Sequence, residues 1–330
     1  MQTDINDLFK KMAGLKVAVI GDVMLDTYWW GHVERISPEA PVPVVAVDKK
    51  EERIGGAGNV ALNVAAMGAQ TLLLSVIGND EDGIFLRKTL KENGISDESL
   101  NISNHRITTN KIRIISRNQQ MLRLDAEKVN DLTFDDEKDF NEIIKNVLIT
   151  MHPDVVILQD YNKGVLTENV IVYVLQLCKE LNIISAVDPK RKNFFAYKNA
   201  TLFKPNLKEV KENLNLLSVE INTNGLSQIH KQLKEKLNNE ISLITLSDNG
   251  VFYQDQNSST ILPAHIRNVA DVSGAGDTVI AVAALAYAAS RDMKIAANMA
   301  NIAGGLVCEQ VGTAVINKER LMQECINLIK

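Results

Sequence analysis

Short runs of Val, Ile and Leu alternate along the chain with longer segments of helical periodicity, and this alternation constrains the fold most. Amphipathic segments lie between the runs at 84–93, 168–181 and 227–237. Strands that alternate with helices form βαβ units, whose right-handed crossovers cover a mostly parallel sheet on both faces. The sequence therefore predicts a doubly wound α/β fold. Its strands are expected at 16–20, 71–77, 155–158, 183–187, 201–203 and 242–246.

Polar residues follow each of these six runs. Open α/β sheets bind ligands outside the carboxyl ends of their strands, so these residues are expected to converge on one crevice. The alternative for any single one is that Asp or Asn caps the next helix. The six ends are Gly21-Asp22, Gly78-Asn79-Asp80, Gln159-Asp160, Asp188-Pro189-Lys190, Lys204-Pro205-Asn206 and Ser247-Asp248-Asn249.

Two stretches, 27–48 and 106–125, break the βα rhythm. The first holds both tryptophans and three prolines, and the second alternates apolar and polar residues without a helix cap. We expect both to be antiparallel strands outside the main sheet, forming a small lid within about 22–50 and 105–126. The chain is then one domain, 1–330, with a lid. Exposed Trp29 and Trp30 on that lid would favour a homodimer contact.

Charge and cysteine content exclude several classes of protein. The net charge of -5 argues against a general nucleic-acid or membrane-surface binder. Cys178, Cys308 and Cys325 are far apart and odd in number, so we expect core positions without a disulfide or zinc site. The first residues lack the pattern of a signal peptide, and no apolar stretch is long enough to span a membrane. A cytoplasmic enzyme is expected.

The segment Asp271-Val-Ser-Gly-Ala-Gly-Asp-Thr278 leads directly into an apolar helical stretch. The first amides of a helix lack an intrahelical acceptor and lie at the positive end of its dipole. Small residues let a phosphate approach such amides closely. Beside them, Asp277 is placed to accept the proton of an attacking hydroxyl. The alternative is an Asp that stabilises a helix start, with glycines that permit close packing.

Asn206-Leu-Lys-Glu209 is open to two interpretations. Asn206 is suited to cap a helix, with Glu209 at its third position completing a capping box, and the four residues alone favour this reading. The functional alternative places both side chains near a magnesium ion or its water ligands, which ATP chemistry needs.

A glycine-rich segment, Arg53-Ile-Gly-Gly-Ala-Gly-Asn-Val-Ala-Leu-Asn63, imitates the GxGxxA dinucleotide fingerprint of a different enzyme class. We expect no such site, because the polar stretch 48–53 separates the glycines from the preceding apolar run, whereas the fingerprint opens directly from a strand. A Walker-type GxxxxGK[ST] motif is also absent from the sequence. The Gly-Gly pair before a helix instead lets backbone amides meet a ligand hydroxyl.

With Gly55-Gly-Ala-Gly-Asn59 near one end and Asp271-Val-Ser-Gly-Ala-Gly-Asp277 near the other, the whole chain resembles the PfkB, or ribokinase-like, carbohydrate kinases. Asn206-Leu-Lys-Glu209 matches the NxxE segment of that family. The resemblance implies an ATP-dependent sugar kinase of ribokinase-like fold, with Mg²⁺ as cofactor and a monovalent cation left open. It implies a catalytic base at Asp277, anion-hole amides at Gly274, Ala275 and Gly276, and a metal reached indirectly through Asn206 and Glu209. The implied sugar-binding residues are Asp22, Gly55, Gly56, Asn59, Asp160 and Arg123, and the implied ATP-binding residues are Lys190, Asn206, Glu209, Ser247 and Gly250.

Within the family the chain is most similar to the D-glycero-β-D-manno-heptose 7-phosphate kinases, the kinase half of the bifunctional ADP-heptose synthesis proteins. The resembling stretches include Arg35-Ile-Ser-Pro-Glu-Ala-Pro-Val-Pro-Val-Val45, Gln119-Gln-Met-Leu-Arg-Leu-Asp125 and Asp160-Tyr-Asn-Lys-Gly164. The resemblance implies phosphorylation at C1, and another sugar, sugar phosphate or nucleoside is the alternative acceptor. The HxGH-type motif of the second, nucleotidyltransferase domain is absent, so the kinase reaction alone is expected. A substrate phosphate would need lid cations, and the candidates are Arg35, Lys111, Arg113, Arg117 and Arg123.

Overall fold

A nine-stranded sheet forms the centre of the computed structural model, which describes residues 4–117 and 119–329. The described residues leave out 1–3, 118 and 330 of the predicted domain. The first three of these belong to the N-terminal segment for which no signal peptide was predicted. The strands are β1 (Lys16–Gly21), β4 (Gln70–Gly78), β5 (Leu100–Ser103), β8 (Val155–Gln159), β9 (Ile184–Asp188), β10 (Leu202–Phe203), β11 (Ile241–Thr245), β12 (Val251–Gln254) and β13 (Ser259–Leu262).

The order of the strands is β13-β12-β11-β10-β9-β8-β1-β4-β5. All neighbours pair in parallel except β12, which is antiparallel to both β11 and β13. The six predicted strands all belong to this sheet, so the predicted doubly wound, mostly parallel α/β fold is confirmed. The sequence did not indicate β5, β12 and β13. Two of these, β5 and β13, are the edge strands of the sheet and are only partly buried, so they lack the continuous apolar runs of the central strands.

Helices cover both faces of the sheet. Ten are found in the described residues, and none of them is long and apolar enough to cross a bilayer. The three amphipathic segments correspond to the third, fifth and seventh helices, and the helices predicted after Asn206 and at Asp277 are the sixth and eighth. The helices are α1 (Ile5–Ala13), α2 (Ala57–Ala66), α3 (Glu81–Glu92), α4 (Phe134–Met151), α5 (Glu168–Glu180), α6 (Leu207–Asn213), α7 (Thr223–Leu237), α8 (Ala275–Ser290), α9 (Met293–Val307) and α10 (Lys318–Leu328).

Two hydrophobic cores lie on opposite faces of the sheet, because successive side chains of a strand point to opposite faces. In β1, Val17 and Val19 belong to the core formed with α1, α2, α8 and α9. Ala18 and Ile20 belong to the other core, formed with α4, α5 and α7. Burial on both faces explains why the central strands are continuous apolar runs. As predicted, Cys178 and Cys325 are buried in these cores, and Cys308 is half-buried.

A separate four-stranded sheet, with the order β3-β2-β6-β7, is formed by the two stretches predicted to be a lid and is called the lid. Its strands are β2 (Val23–Ile36), β3 (Pro43–Gly56), β6 (Asn110–Ser116) and β7 (Gln119–Ala126). The two hairpins are antiparallel, but β2 and β6 pair in parallel, so the prediction of an entirely antiparallel lid was wrong. Residue alternation reveals that a segment is a strand but carries no information on the direction of its partner.

The polar stretch 48–53 is also part of strand β3, which runs without interruption into Gly56. The prediction that this stretch separates the glycines from a strand was therefore wrong. Its side chains are polar because only the last three residues of this strand are buried, unlike the buried strands of the main sheet. β3 is nevertheless an antiparallel lid strand, whereas the dinucleotide fingerprint follows a strand of a βαβ unit.

The register of the lid gives it two different faces. Tyr28 pairs with Arg113, which pairs with Arg123, so these three side chains share one face with Asp26 and Lys111. The opposite face carries the apolar side chains Trp29, Ile112, Ile114, Leu122 and Leu124. On the charged face, Arg53 donates to the carbonyl oxygens of Val311 and Thr313, so this face lies toward the main domain.

The junction between lid and main domain depends on Gly56, the last residue of β3 before α2. Its φ is +59°, and a Cβ there would lie 2.3 Å from the carbonyl oxygen of Asp22. Glycine is therefore required both for the left-handed backbone and for the close approach of the chain.

We expect Gly56→Ala to lower the free energy of unfolding by more than Gly94→Ala. Both glycines have positive φ, so both variants carry backbone strain, which is on the order of 1–2 kcal/mol for a left-handed helical residue. Gly56, at ψ -135°, lies outside that left-handed helical region. Nothing lies within 4 Å of a Cβ at Gly94, so only the Gly56 variant adds a steric clash. Urea unfolding followed by circular dichroism measures both losses. Equal losses would contradict the crowding at Gly56.

Candidate active site

Polar side chains at the carboxyl ends of four adjacent strands form one connected group. Gln159, which ends β8, donates its amide to Asp188 at the end of β9 and to Asp277 on α8, each at 3.1 Å. Asp188 in turn pairs with Lys204, directly after β10, at 3.1 Å. With Asp22, at the end of β1, four of the six predicted strand ends meet at one edge of the sheet, as expected for this fold.

The other two strand ends have separate surroundings. After β4, Asp80 caps α3 by accepting from the backbone of Gly83, and it also accepts from the backbone of Thr108. This end therefore follows the capping alternative. After β11, a single parallel bridge joins Thr245 to Asn206, so Ser247 and Gly250 lie beside the strand end that carries Asn206.

Asp277 lies in the first turn of α8 and is only 2% exposed. Its carboxylate accepts from three neutral donors: Asn59 Nδ2 at 2.8 Å, Tyr161 Oη at 2.7 Å and Gln159 Nε2 at 3.1 Å. Burial raises the pKa of Asp277 to about 6, and the bonds from Asn59 and Tyr161 oppose that rise. A carboxylate with this pKa is ionised at neutral pH yet basic enough to accept a proton.

The amides before Asp277 form an open turn. Gly274 has φ +77° and caps α8, and no hydrogen bond is found for the N–H groups of Gly274 and Gly276 within the described residues. The N–H of Ala275, by contrast, donates to the carbonyl of Val272 at 3.2 Å. Two of the three predicted anion-hole amides are therefore without a partner in this structure, and the third is engaged within its own turn.

A buried cation faces this turn. Lys204 is 3% exposed, and a Cβ on Gly276 would lie 3.7 Å from its Nζ and 3.9 Å from Asp188 Oδ2. An anion bound at the turn would therefore meet Lys204 as well as the free amides. Lys204 was predicted only as part of a strand end, with no role in the site.

Asp22 organises the loop that follows β8. Its carboxylate accepts from the backbone N–H groups of Tyr161, Lys163 and Val165 at 2.8–3.0 Å, and it is 1% exposed. The contact of Asp22 with a sugar hydroxyl stays a prediction, because both carboxylate oxygens of Asp22 already accept hydrogen bonds from this loop. Asp160 at the start of the loop is also buried and accepts from Tyr197 Oη at 2.9 Å. Burial, with the charge of Asp22, raises the pKa of Asp160 to about 7.

The Gly55-Gly-Ala-Gly-Asn59 segment contributes directly to the site. Asn59 contacts Asp277, and Asn63 fixes Asn59 by donating to its backbone carbonyl at 2.8 Å. The missing side chain of Gly55 makes room for Asp26, whose Oδ2 would lie 2.3 Å from a Cβ there. The assignment of Gly55, Gly56 and Asn59 to the sugar stays a prediction.

Asn206 and Glu209 make the predicted helix cap, and their role near a magnesium ion stays a prediction. The two residues form a reciprocal capping box at the start of α6, with both bonds at 2.8 Å. Glu209 also accepts from Lys190 Nζ at 2.6 Å, which links this helix start to Asp188. Although burial opposes it, the charges of Asp188 and Glu209 raise the pKa of Lys190.

The donor set beside these residues fits a magnesium ion bridged to phosphate. Mg²⁺ is commonly held by one or two protein carboxylates together with substrate phosphates and water. Asp188 Oδ1 is buried and has no hydrogen-bond partner within the described residues. The other oxygen of this carboxylate, Oδ2, would lie 3.9 Å from a Cβ on Gly276 in the amide turn. No group of three or more His, Cys, Asp or Glu suited to a metal is found in 4–117 and 119–329. Asp188, which was predicted only as part of a strand end, is therefore a candidate ligand.

The predicted lid cations differ in their partners. Arg113 pairs with Asp26 at 2.6 Å, and Arg123 pairs with Asp125 at 2.8 Å. Lys111 is half-buried, its Nζ lies 5.4 Å from the centre of the Tyr161 ring, and no ion pair is found for it in the described part of the chain. Burial, and then the charge of Lys163, lowers its pKa. Arg35 and Arg117 lie farther along the lid, where no ion pair is found for them in the described residues.

Known proteins match this chain over almost its whole length. The family model described as pfkB family carbohydrate kinase matches residues 15–320. The bifunctional protein HldE of Syntrophotalea carbinolica is 37% identical over 97% of this chain and 65% of its own length. HldE of Psychromonas ingrahamii is 41% identical over 92% of this chain and 62% of its own. The chain thus spans less than two thirds of the curated relatives it matches.

Two solved structures share the fold. The phosphofructokinase-2 of Escherichia coli, in complex with potassium, matches with a TM-score of 0.79 at 15% identity, over 96% of this chain and 100% of its own. The Arabidopsis thaliana ribokinase, complexed with ribose and ATP, matches with a TM-score of 0.73 at 17% identity, over 94% and 99%.

Proposed function

The chain belongs to the pfkB family of carbohydrate kinases, and we propose that it transfers the γ-phosphoryl group of ATP to the C1 hydroxyl of D-glycero-β-D-manno-heptose 7-phosphate. The product would be the 1,7-bisphosphate, a precursor of ADP-heptose and the lipopolysaccharide core. One observation carries the kinase chemistry: the buried carboxylate of Asp277 lies directly after the unpartnered amides of Gly274 and Gly276. The similarity to HldE proteins supports the choice of acceptor.

The proposed reaction uses these groups in order. Asp277 accepts the proton of the C1 hydroxyl as its oxygen forms a bond to the γ-phosphorus. The bond from the γ-phosphorus to the bridging oxygen breaks, and ADP leaves with that electron pair. The free amides and Lys204 stabilise the charge on the transferred phosphoryl group. Mg²⁺ bound through Asp188 and the Glu209 region would neutralise charge on the ATP phosphates. A monovalent cation stays a prediction, as does a cytoplasmic location, which the use of ATP supports.

We expect Asp277→Asn to retain ATP binding and to lose turnover by roughly 10²–10⁴-fold, because an amide cannot accept the proton. In the unchanged protein, kcat/KM should fall tenfold per pH unit below about 6, the pKa of Asp277, and level off above it, because only the ionised carboxylate is a base. ADP release gives the turnover, and calorimetry gives ATP binding. Asp292→Asn, which keeps a helix cap, is the matched control. Near-normal turnover of Asp277→Asn would refute this mechanism.

The acceptor phosphate needs a cation that an existing carboxylate does not already neutralise, and Lys111 fits this need. It is half-buried on the charged face of the lid, close to Tyr161, which itself contacts Asp277. A phosphate that bonds to Lys111 would recover part of the cost of burying that charge.

We expect heptose 7-phosphate to be the best substrate in a panel with fructose phosphates, ribose and adenosine. A non-phosphorylated sugar as the best acceptor would contradict the heptose assignment and favour another kinase of this family.

We expect Lys111→Met to raise KM for the phosphorylated acceptor by roughly 10- to 100-fold, which corresponds to the loss of one hydrogen bond to a charged group. Lys49 is an exposed lid lysine paired with Glu51, and Lys49→Met should leave KM unchanged.

We also propose that the chain forms a homodimer through the apolar face of the lid. Leu122 and Leu124, exposed by 51% and 43%, continue a surface with Ile112, Ile114 and Trp29. A sheet face of this composition is stabilised when a second copy covers it.

Sedimentation velocity tests this contact. We expect the unchanged protein to sediment as a dimer at micromolar concentration and Leu122→Glu to shift it to monomer, because a buried carboxylate would oppose the contact. Val172→Glu, equally exposed at 51% but on α5, is the matched control. A Leu122→Glu variant that stays dimeric would exclude this face.

A further inference from the structure

Tyr161 contacts the catalytic carboxylate, and neither the motifs nor the strand ends gave it a role. Its Oη donates to Asp277 Oδ1 at 2.7 Å. Burial, and then the charge of Asp277, raises the pKa of Tyr161 well above its usual value, so the phenol stays protonated. Whenever Asp277 is ionised, Tyr161 is therefore the donor and Asp277 the acceptor.

The ring of Tyr161 contacts two cations from different parts of the chain. Lys111 Nζ, from the lid, lies 5.4 Å from the ring centre, and Lys190 Nζ, from the end of β9, lies 5.6 Å away. Both distances allow a cation–π attraction. A single side chain thus connects the base, the lid lysine and the lysine beside Glu209.

The backbone around Tyr161 is held from two sides. Asp22 accepts from the N–H groups of Tyr161 and Lys163. Arg106 donates to the carbonyls of Asn130, Lys128 and Lys163. Two buried charges of opposite sign therefore fix the loop, and the position of the phenol follows from them.

We propose that Tyr161 is a positioning residue, whose hydroxyl orients the Asp277 carboxylate and whose ring holds Lys111 and Lys190 for the two phosphate-bearing substrates. This inference rests on the proposed kinase function. The two parts of the role can be separated, because Tyr161→Phe removes only the hydroxyl and Tyr161→Leu removes the ring as well.

Other charged groups also face Asp277 and influence its pKa. These groups are Asp188 at the end of β9, Lys204 after β10, and Lys190. None of them bonds to the Tyr161 hydroxyl, so Tyr161→Phe leaves their contacts intact.

In Tyr161→Phe, the acid limb of kcat/KM should move to higher pH by about one unit, because Asp277 loses a bond that favours its ionised form. Turnover should fall several-fold at pH 6 and recover above pH 8, with KM unchanged for both substrates. In Tyr161→Leu, KM for ATP and for heptose 7-phosphate should also rise, by roughly 3- to 30-fold. Tyr173→Phe, on α5 and remote from Asp277, should match the unchanged protein.

Two results would overturn the inference: an unmoved acid limb in Tyr161→Phe, or unchanged KM values in Tyr161→Leu. Titration of aspartate ¹³Cγ signals by NMR reads the same change without turnover, with Asp277 assigned through Asp277→Asn. If the unchanged protein phosphorylated no acceptor, the proposed function would fail. The NMR shift between the unchanged protein and Tyr161→Phe would then still decide the role of Tyr161.

Discussion

The carboxylate of Asp277 is buried without a salt bridge in the described residues, and three neutral donors take the place of water around it. Neutral donors stabilise the anion less than a bonded cation would, so the group remains basic. The side-chain amide of Gln159 also donates to Asp188, whose carboxylate instead has two cations beside it, Lys204 and Lys190. Neighbouring carboxylates with different environments can take different roles, one as a base and one as a charge partner for metal or phosphate.

Burial decides how much of the fold the sequence could predict. The central strands are buried on both faces, so they are continuous apolar runs, and all six were predicted. Strand β3 is buried only at its last three residues, so its polar part at 48–53 was interpreted as a break. The parallel pairing of β2 with β6 was missed because a strand's own residues do not specify its partner. Local sequence thus predicts elements better than their neighbours.

The same limit applies to the site. Asp277 and Asn59 lie in motifs whose local chemistry is visible, and the structure brings them into contact across 218 positions. Tyr161 lies next to a residue that was assigned to the sugar, but its partner is 116 positions away, and nothing in its surrounding sequence indicates that contact. Lys204 looks like an ordinary strand-end lysine until its burial is known. Asn206 and Glu209 could be predicted as a helix cap, but the same four-residue motif is also expected of a site near magnesium, so the sequence alone could not separate the two roles.

The lid is joined to the candidate active site by continuous backbone. β2 begins directly after Asp22, β3 ends directly before the helix that carries Asn59, and each has fourteen residues. A strand of that length spans up to roughly 46 Å, so a 10° rotation about its base would displace its tip by about 8 Å. A small change of angle at this junction would therefore move the far end of the lid much farther than it moves Asp22 and Asn59.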